Sequence, residues 1–316
     1  MPAKQTPEEW LKKYVSALNE LAKPFAGDGR ETISYGPHTV LKIIGVYYYA
    51  GMFAKIATGE SAKARGYDAA VYLDLFAGPG LVRIEGTDDY VAGSPVAATS
   101  TAFPFDFSVF VEIDKRRSNA LSERLSTYLP NDKFVVFNGD SNSMTAGIIK
   151  FLKEKYKKPI VLAFIDPQGM EAKWTTAEAL TKAFKSIDFM LNVTTGANRV
   201  AGRIKGGMVG DVPIFQDFFG ANADEILTRI NAGEKVEAIY EKGVKDVLGR
   251  PLGETIGICE TGNKMVYHLL GYTRESWTGS PWAAGFKALK TNLERFDGDG
   301  IRAVMDVVKG RQKPLL

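Results

Sequence analysis

The chain predicts an α/β fold built on a doubly wound, mostly parallel seven-stranded sheet, with a terminal antiparallel hairpin and added N- and C-terminal helices. Three observations predict it. Five short apolar runs, Val71–Phe76, Phe107–Ile113, Phe134–Phe137, Ile160–Ile165 and Phe189–Val193, read as strands buried on both faces. Helical stretches near Lys115–Leu129, Ser143–Tyr156 and Thr176–Phe184 separate most of them, as right-handed crossovers between parallel strands require. Two later runs, Ile256–Cys259 and Met265–Tyr272, flank the turn Thr261-Gly262-Asn263 and read as a hairpin on one sheet edge.

The elements follow in order. Thr6, Pro7 and Glu9 form a capping box, and Trp10, Tyr14, Leu18 and Leu21 recur at helical spacing until Pro24, Gly27 and Gly29. A second helix is expected over about Thr39–Ala57, with a broad apolar stripe from Val40 to Met52. A long loop is expected from Gly80 to Gly93-Ser94-Pro95, where Ser94 caps a helix over Val96–Ala102. After Gly196 a loop with Arg199, Arg203 and Lys205 leads to helices near Pro213–Phe219, Ala223–Ile230 and Lys235–Leu248. The tail from Trp282 reads as helical, then basic and frayed from Lys309. The expected organisation is N-terminal helices packed on the core (1–60), the α/β domain (61–275, with a helical insertion at about 197–250) and a C-terminal helical extension (276–316).

Composition excludes several chemistries. The 316 residues carry 40 Lys plus Arg against 37 Asp plus Glu, a net +3, so no strongly basic surface argues for nucleic acid by composition alone. One Cys and two His exclude a disulfide framework, a redox pair and a Cys/His zinc site; no metal is expected. No uncharged apolar run is long enough to span a membrane, and the first residues lack a signal-peptide core. The expectation is a cytoplasmic protein.

Every strand run ends in polar or glycine residues: Asp74 to Gly80, Glu112–Asp114, Gly139-Asp140-Ser141, Asp166-Pro167-Gln168 and Asn192 to Gly196. An open α/β sheet binds its ligands at those carboxyl ends. Phe76-Ala77-Gly78-Pro79-Gly80 lets backbone approach a ligand, Glu112 can accept both hydroxyls of a ribose, and Asp140 can accept from an adenine amine. Gly80 is followed by Leu81-Val82-Arg83 with no third glycine, and the next helix starts only after Gly93, which disfavours a pyrophosphate. A P-loop is absent. S-adenosylmethionine, with ribose and adenine but no phosphate, fits better.

Leu73–Gly80 resembles the first motif of class I S-adenosylmethionine-dependent methyltransferases, and Val111–Asp114, Gly139-Asp140 and Asp166–Gly169 resemble the motifs that follow in the same order. More specifically, Phe76–Gly80, Gly93–Pro95, Val111–Asp114 and Phe164–Gly169 together resemble the bacterial three-Cys-motif partner family, over roughly residues 38 to 275. The order is also similar to that of the ribosomal RNA adenine-N6 methyltransferases. The resemblance implies a Rossmann-like methyltransferase fold, S-adenosylmethionine as cofactor, transfer to a nucleic-acid base amine or a partner-presented substrate, and association with a three-cysteine, radical-enzyme-like protein. It implies Asp166, Pro167 and Gln168 at the reacting corner. It implies Asp74, Phe76, Ala77, Gly78, Gly80, Ser94, Glu112, Asp140 and Ser141 around the cofactor.

The chain departs from the pattern at one point. Where the adenine-N6 enzymes carry a proline and a stacking aromatic after Asp-Pro, this sequence has Gln168-Gly169. Trp174 could supply the aromatic, or be a core residue. The departure leaves a second reading open, a non-catalytic partner subunit. Asp74 could hold the methionyl ammonium or cap a strand end, and Asp166 could orient an amine or cap a helix. Arg199 and Arg203 could bind a nucleic-acid phosphate or face solvent. Asp114 is expected to cap a helix, and His38, His268 and Cys259 to be structural.

Overall fold

The computed structural model describes residues 5–275 and 281–311. Residues 276–280 and 312–316, parts of the expected C-terminal extension and basic tail, lie outside the described residues.

The elements run α1 (Pro7–Ala22), β1 (Ile33–Tyr35), α2 (Thr39–Ala57), α3 (Glu60–Ala64), β2 (Ala69–Asp74), β3 (Leu81–Ile84), β4 (Tyr90–Ala92), α4 (Ser94–Thr99), β5 (Phe107–Glu112), α5 (Lys115–Leu125), β6 (Phe134–Asn138), α6 (Ser141–Lys155), β7 (Pro159–Ile165) and α7 (Trp174–Ala183). Then follow β8 (Ile187–Thr194), α8 (Gly196–Lys205), α9 (Val212–Phe219), α10 (Ala223–Asn231), α11 (Val236–Asp246), β9 (Leu252–Glu260), β10 (Lys264–Thr273), α12 (Pro281–Leu293) and α13 (Gly298–Val308).

Seven strands form one sheet in the order β6-β5-β2-β7-β8-β10-β9. β2, β5, β6, β7 and β8 pair in parallel, whereas β10 runs antiparallel to both β8 and β9. This is the Rossmann-like layout the strand pattern predicts, closed at one edge by the predicted hairpin. The order reverses at β2, between β5 and β7, and a ligand crevice opens at such a switch point.

Alternate residues of β2 feed opposite faces, as the two-residue period of a strand demands. Ala70 and Tyr72 join an apolar layer with α1, α2, α12 and α13, while Val71 and Leu73 join a second layer with α6, α7 and α9–α11. α2 is long and apolar enough to cross a membrane by length and composition. Its buried residues, among them Leu41, Ile44, Tyr49 and Phe53, surround the helix and pack it against the sheet, which is where an all-round apolar helix goes in a folded core. The capping box of α1 forms as predicted, with Glu9 N–H donating to Thr6 Oγ1 at 3.2 Å and Thr6 N–H to Glu9 Oε2 at 2.9 Å.

Three expectations are corrected. The segment after Gly80 is a β-hairpin, β3–β4, and β3 pairs in parallel with β1 in a three-stranded sheet. Its strands are three or four residues long and find partners far away in sequence, so no local periodicity announces them. Arg199, Arg203 and Lys205 lie on helix α8 and not on a loop. Gly93, not Ser94, is the N-cap of α4, and no side chain caps it.

Candidate functional site

A cleft of about 230 Å³ opens beyond the carboxyl ends of β2, β5, β6 and β7. Its size is close to the lower end of the roughly 300–1,000 Å³ of small-ligand sites. Phe76, Ala77, Gly78, Gly80, Ser94, Glu112, Asp140, Ser141, Asp166 and Gln168 all line it, so the structure brings ten of the predicted residues to one place.

The glycine turn shapes one wall. Gly78 has φ +64°, and a Cβ built there would meet nothing within 4 Å. The backbone conformation excludes most side chains, and the space is left for a ligand. Gly80 differs: a Cβ would press on Leu121 and Val96, so its role is packing. Arg124, fully buried, holds the turn from behind. Its guanidinium donates to the carbonyls of Pro79 (2.7 Å) and Glu31 (2.8 Å) and pairs with Asp28, tying the strap before β1 to the turn.

Glu112 ends β5 beside this turn. Its Oε2 accepts from Gly78 N–H and its Oε1 from Asp114 N–H, both at 2.8 Å. A carboxylate has about four acceptor sites, so each oxygen keeps one free. Two vacant acceptors at the end of the second parallel strand match the two hydroxyls of a ribose. Ile113, 71% exposed, offers an apolar face next to them. Asp140 caps α6, accepting from Asn142 N–H, Asn142 Nδ2 and Ser143 N–H. Partial burial pushes its pKa up, but those bonds outweigh it and hold the carboxyl below its usual value. Ser141 ties α6 to β2 by donating to the Leu75 carbonyl. Asp114 caps α5 through Arg117 N–H, as predicted.

Asp74 does not line the cleft. It is wholly buried behind Ser94, accepting from Ser94 Oγ (2.8 Å), Tyr72 OH (3.2 Å) and Phe76 N–H (3.3 Å). Burial, reinforced by the charge of Asp166, raises its pKa to about 7. The hairpin also revises the case against a pyrophosphate: Gly93 N–H bonds to Gly80 O at 2.9 Å, so α4 begins against the glycine turn.

At the other end of the cleft, Asp166 is held by Lys42 of α2, whose Nζ lies 2.8 Å from Oδ1 and 2.7 Å from Oδ2. Asn192 Nδ2 donates to Oδ1 at 2.7 Å and, at 3.4 Å, to the carbonyl of Pro167. Gln168 donates its amide to the hydroxyl of Tyr35 at 2.7 Å, and burial raises that phenol to about 12. Tyr35, Thr39, Lys42, Arg117 and Glu171 line the cleft and were not singled out from the sequence. Lys42 had a signal: it is the one charge among Val40, Leu41, Ile43 and Ile44. Tyr35 had none, because β1 joins the site only through its pairing with β3.

The three residues expected at the substrate side stand elsewhere. Trp174 is buried in the core at 3% exposure, edge-on to Tyr240, with Nε1 donating to Glu178 at 2.9 Å. Gly220 and Gly243 leave it room, since a Cβ on either would collide with the indole. Arg203 is exposed and paired with Asp211 at 2.6 Å, and Arg199 is exposed on α8; neither reaches the cleft. Among the described residues no group of His, Cys, Asp and Glu is placed to hold a metal.

No family model and no curated protein matches the chain. Among solved structures it is similar to a Legionella pneumophila protein of the DUF519 family, with 13% identity over 79% of this chain and 91% of that one and a TM-score of 0.43. It is similar to an O-methyltransferase from Bacillus cereus in complex with SAH, at 12% identity, 85% and 100% coverage and a TM-score of 0.40. A third, TYW2 of M. jannaschii in complex with AdoMet, shares 10% identity over 68% of this chain and 75% of that one, at a TM-score of 0.34.

Proposed function

We propose that the protein is an S-adenosylmethionine-dependent methyltransferase, acting on a base amine of nucleic acid or on a substrate presented by a partner protein. The observation that carries this reading is the juxtaposition of Gly78, facing open space at φ +64°, with a Glu112 carboxylate that keeps two vacant acceptor sites. That cradle suits a nucleoside. Glu112 would hold the ribose, Ile113 would pack on the adenine, and Asp140 would accept from the adenine amine.

Bound there, the cofactor supplies an electrophilic methyl on a sulfonium, so no metal and no covalent enzyme intermediate is required. Methyl transfer breaks the S–CH3 bond as N–CH3 forms, and the nitrogen then sheds one proton. Asp166, at the far end of the cleft, holds the amine through Oδ2 and takes that proton. Calorimetry tests the reading. S-adenosylhomocysteine should bind at micromolar concentration, and Asp166→Asn should leave that affinity unchanged while removing transfer of labelled methyl to bulk RNA or DNA. No binding, or transfer undiminished in Asp166→Asn, refutes it.

Gln168 favours a second reading. It stands where the three-Cys-motif partner family commonly carries an aromatic, and its amide is committed to Tyr35. In that reading the chain binds the cofactor as a non-catalytic partner of a three-cysteine-motif protein. Binding without turnover on any pool supports it.

A further inference from the structure

A second cavity, of about 470 Å³, opens at the amino ends of β2, β5 and β6, the end of the sheet opposite the cleft. Its size is that of a ligand site. α2 lines both cavities, the cleft with Thr39 and Lys42 and the second with Ala57, before Thr58. At 1.5 Å per residue Lys42 and Ala57 are about 22 Å apart, so the second cavity is no part of the first. Its floor is apolar. Ala57, Ala69 and Phe105 are buried, and Tyr67 stands half-buried beside them. Phe105 packs against Phe53 and Tyr72, and the Tyr67 hydroxyl is held by Ser186 at 2.8 Å and Arg274 at 2.9 Å. Both rings are therefore fixed before a ligand arrives.

Cations surround that floor. Lys63 and Lys133 stand on the rim. The segments that lead into β2, β5, β6 and β7 (60–68, 103–106, 129–133 and 155–158) carry six Lys and Arg against four Asp and Glu. Three of those carboxylates are engaged within the fold. Asp68 accepts from the N–H groups of Lys157 (2.6 Å) and Lys158 (3.0 Å), Asp106 accepts from Ala70 N–H (2.8 Å), and Glu60 pairs with Lys63 across an exposed 3.3 Å. Among the described residues Lys133, Lys155 and Lys157 form no ion pair, and Lys155 Nζ instead lies 4.5 Å from the centre of the Phe107 ring. The cleft has the opposite balance, with Glu112, Asp140, Asp166 and Glu171 against Lys42 and Arg117. A polyanion is drawn to the cationic end of the sheet, not to the cleft.

The cations are spread over several segments, so the charge they meet must also be spread along a chain. The fixed rings ask for a planar body in the same ligand. A nucleic-acid single strand has both, phosphates at regular intervals and unstacked bases. A duplex hides its base faces, and an acidic peptide brings charge without the planar body.

We propose that the amino end of the sheet is an exosite for single-stranded nucleic acid, with one base against Tyr67 and Phe105 and the flanking phosphates on Lys63 and Lys133. The exosite holds a stretch remote from the reacting nucleotide. It rests on the nucleic-acid side of the proposed function for its purpose, but its measurement needs neither cofactor nor turnover.

The full chain is titrated, without cofactor, into a fluorescein-labelled oligouridylate, and anisotropy is read over a series of KCl concentrations. The logarithm of the affinity should fall linearly with that of the salt concentration. Lys63→Gln with Lys133→Gln should flatten the slope by about 1.4, two phosphates at about 0.7 each. Tyr67→Leu should weaken binding about tenfold at fixed salt, the size of one lost base stack, and leave the slope unchanged. S-adenosylhomocysteine affinity should be the same in these variants as in the wild type. Should Tyr67→Leu fail to fold, the exposed lysine pair decides alone. No binding at low salt, or a slope unchanged in the lysine variant, overturns the proposal; so does equal or tighter binding of an RNA duplex or of polyglutamate. Failure of S-adenosylhomocysteine to bind while the oligonucleotide binds as described sinks the cofactor reading and leaves the exosite standing.

Discussion

Replacing Glu112 by Gln tests the nucleoside cradle most directly. The carboxylate accepts from Gly78 N–H and Asp114 N–H, one on each oxygen. A Gln side chain has one acceptor oxygen and one donor nitrogen, so its nitrogen must face either a backbone N–H or a ribose hydroxyl it can no longer accept from. If the oxygen stays with Gly78, one ribose bond is lost. A hydrogen bond to a charged group contributes about 1.5–3 kcal/mol, and 1.4 kcal/mol is about tenfold. Affinity for S-adenosylhomocysteine should therefore fall by roughly 10- to 150-fold. Glu112→Ala loses both bonds and should fall further. Isothermal calorimetry reads both variants, with a thermal melt to confirm folding. An affinity within twofold of wild type in Glu112→Gln would show that this carboxylate does not hold the ribose.

Two further outcomes follow from the geometry. Gly78→Val should abolish S-adenosylhomocysteine binding, since its branched side chain fills cleft space, whereas Gly233→Val, also at positive φ (+91°) with open space but away from the cleft, should lower the melting temperature and leave binding intact; binding retained in the first or lost in the second contradicts the assignment. Asp188 is fully buried, bonded to Tyr49 and Thr273, and burial raises its pKa to about 6, so the folded state holds its proton more tightly than the unfolded chain. Its contribution is complete below the unfolded value of about 3.9 and is lost as pH rises toward 6, on the order of 3 kcal/mol; melting temperatures of Asp188→Asn relative to wild type should climb between pH 4 and 7 and level off above, and a difference flat with pH would refute this.

The main sheet was legible in the chain because β2, β5, β7 and β8 are buried on both faces, with only the edge strand β6 half-buried. Such strands read as uninterrupted apolar runs, and the polar residues can stand only at their ends, so Glu112, Asp140 and Asp166 advertise the cleft. The same logic misled at Asp74. Asp74 pairs with Phe110 and Phe164, two positions behind Glu112 and Asp166, and lies covered by Ser94; nothing local separates a strand-end ligand from such a buried anchor. Trp174 likewise looked available next to the Asp166 motif, yet the direction of α7 turns its indole toward Tyr240.

By itself the sequence determined the alternation of strands and helices and the polar strand ends that meet at the cleft, because each depends on periodicity and on residues within a few positions of one another. The tertiary structure alone decided what holds the Asp166 end of that cleft. Lys42 meets Asp166 across 124 positions, Tyr35 meets Gln168 across 133, and Arg124 meets Asp28 across 96. Each is a polar contact between distant segments, made only once α2 and β1 are packed onto the sheet, and pairings of that range leave no periodic trace in the chain.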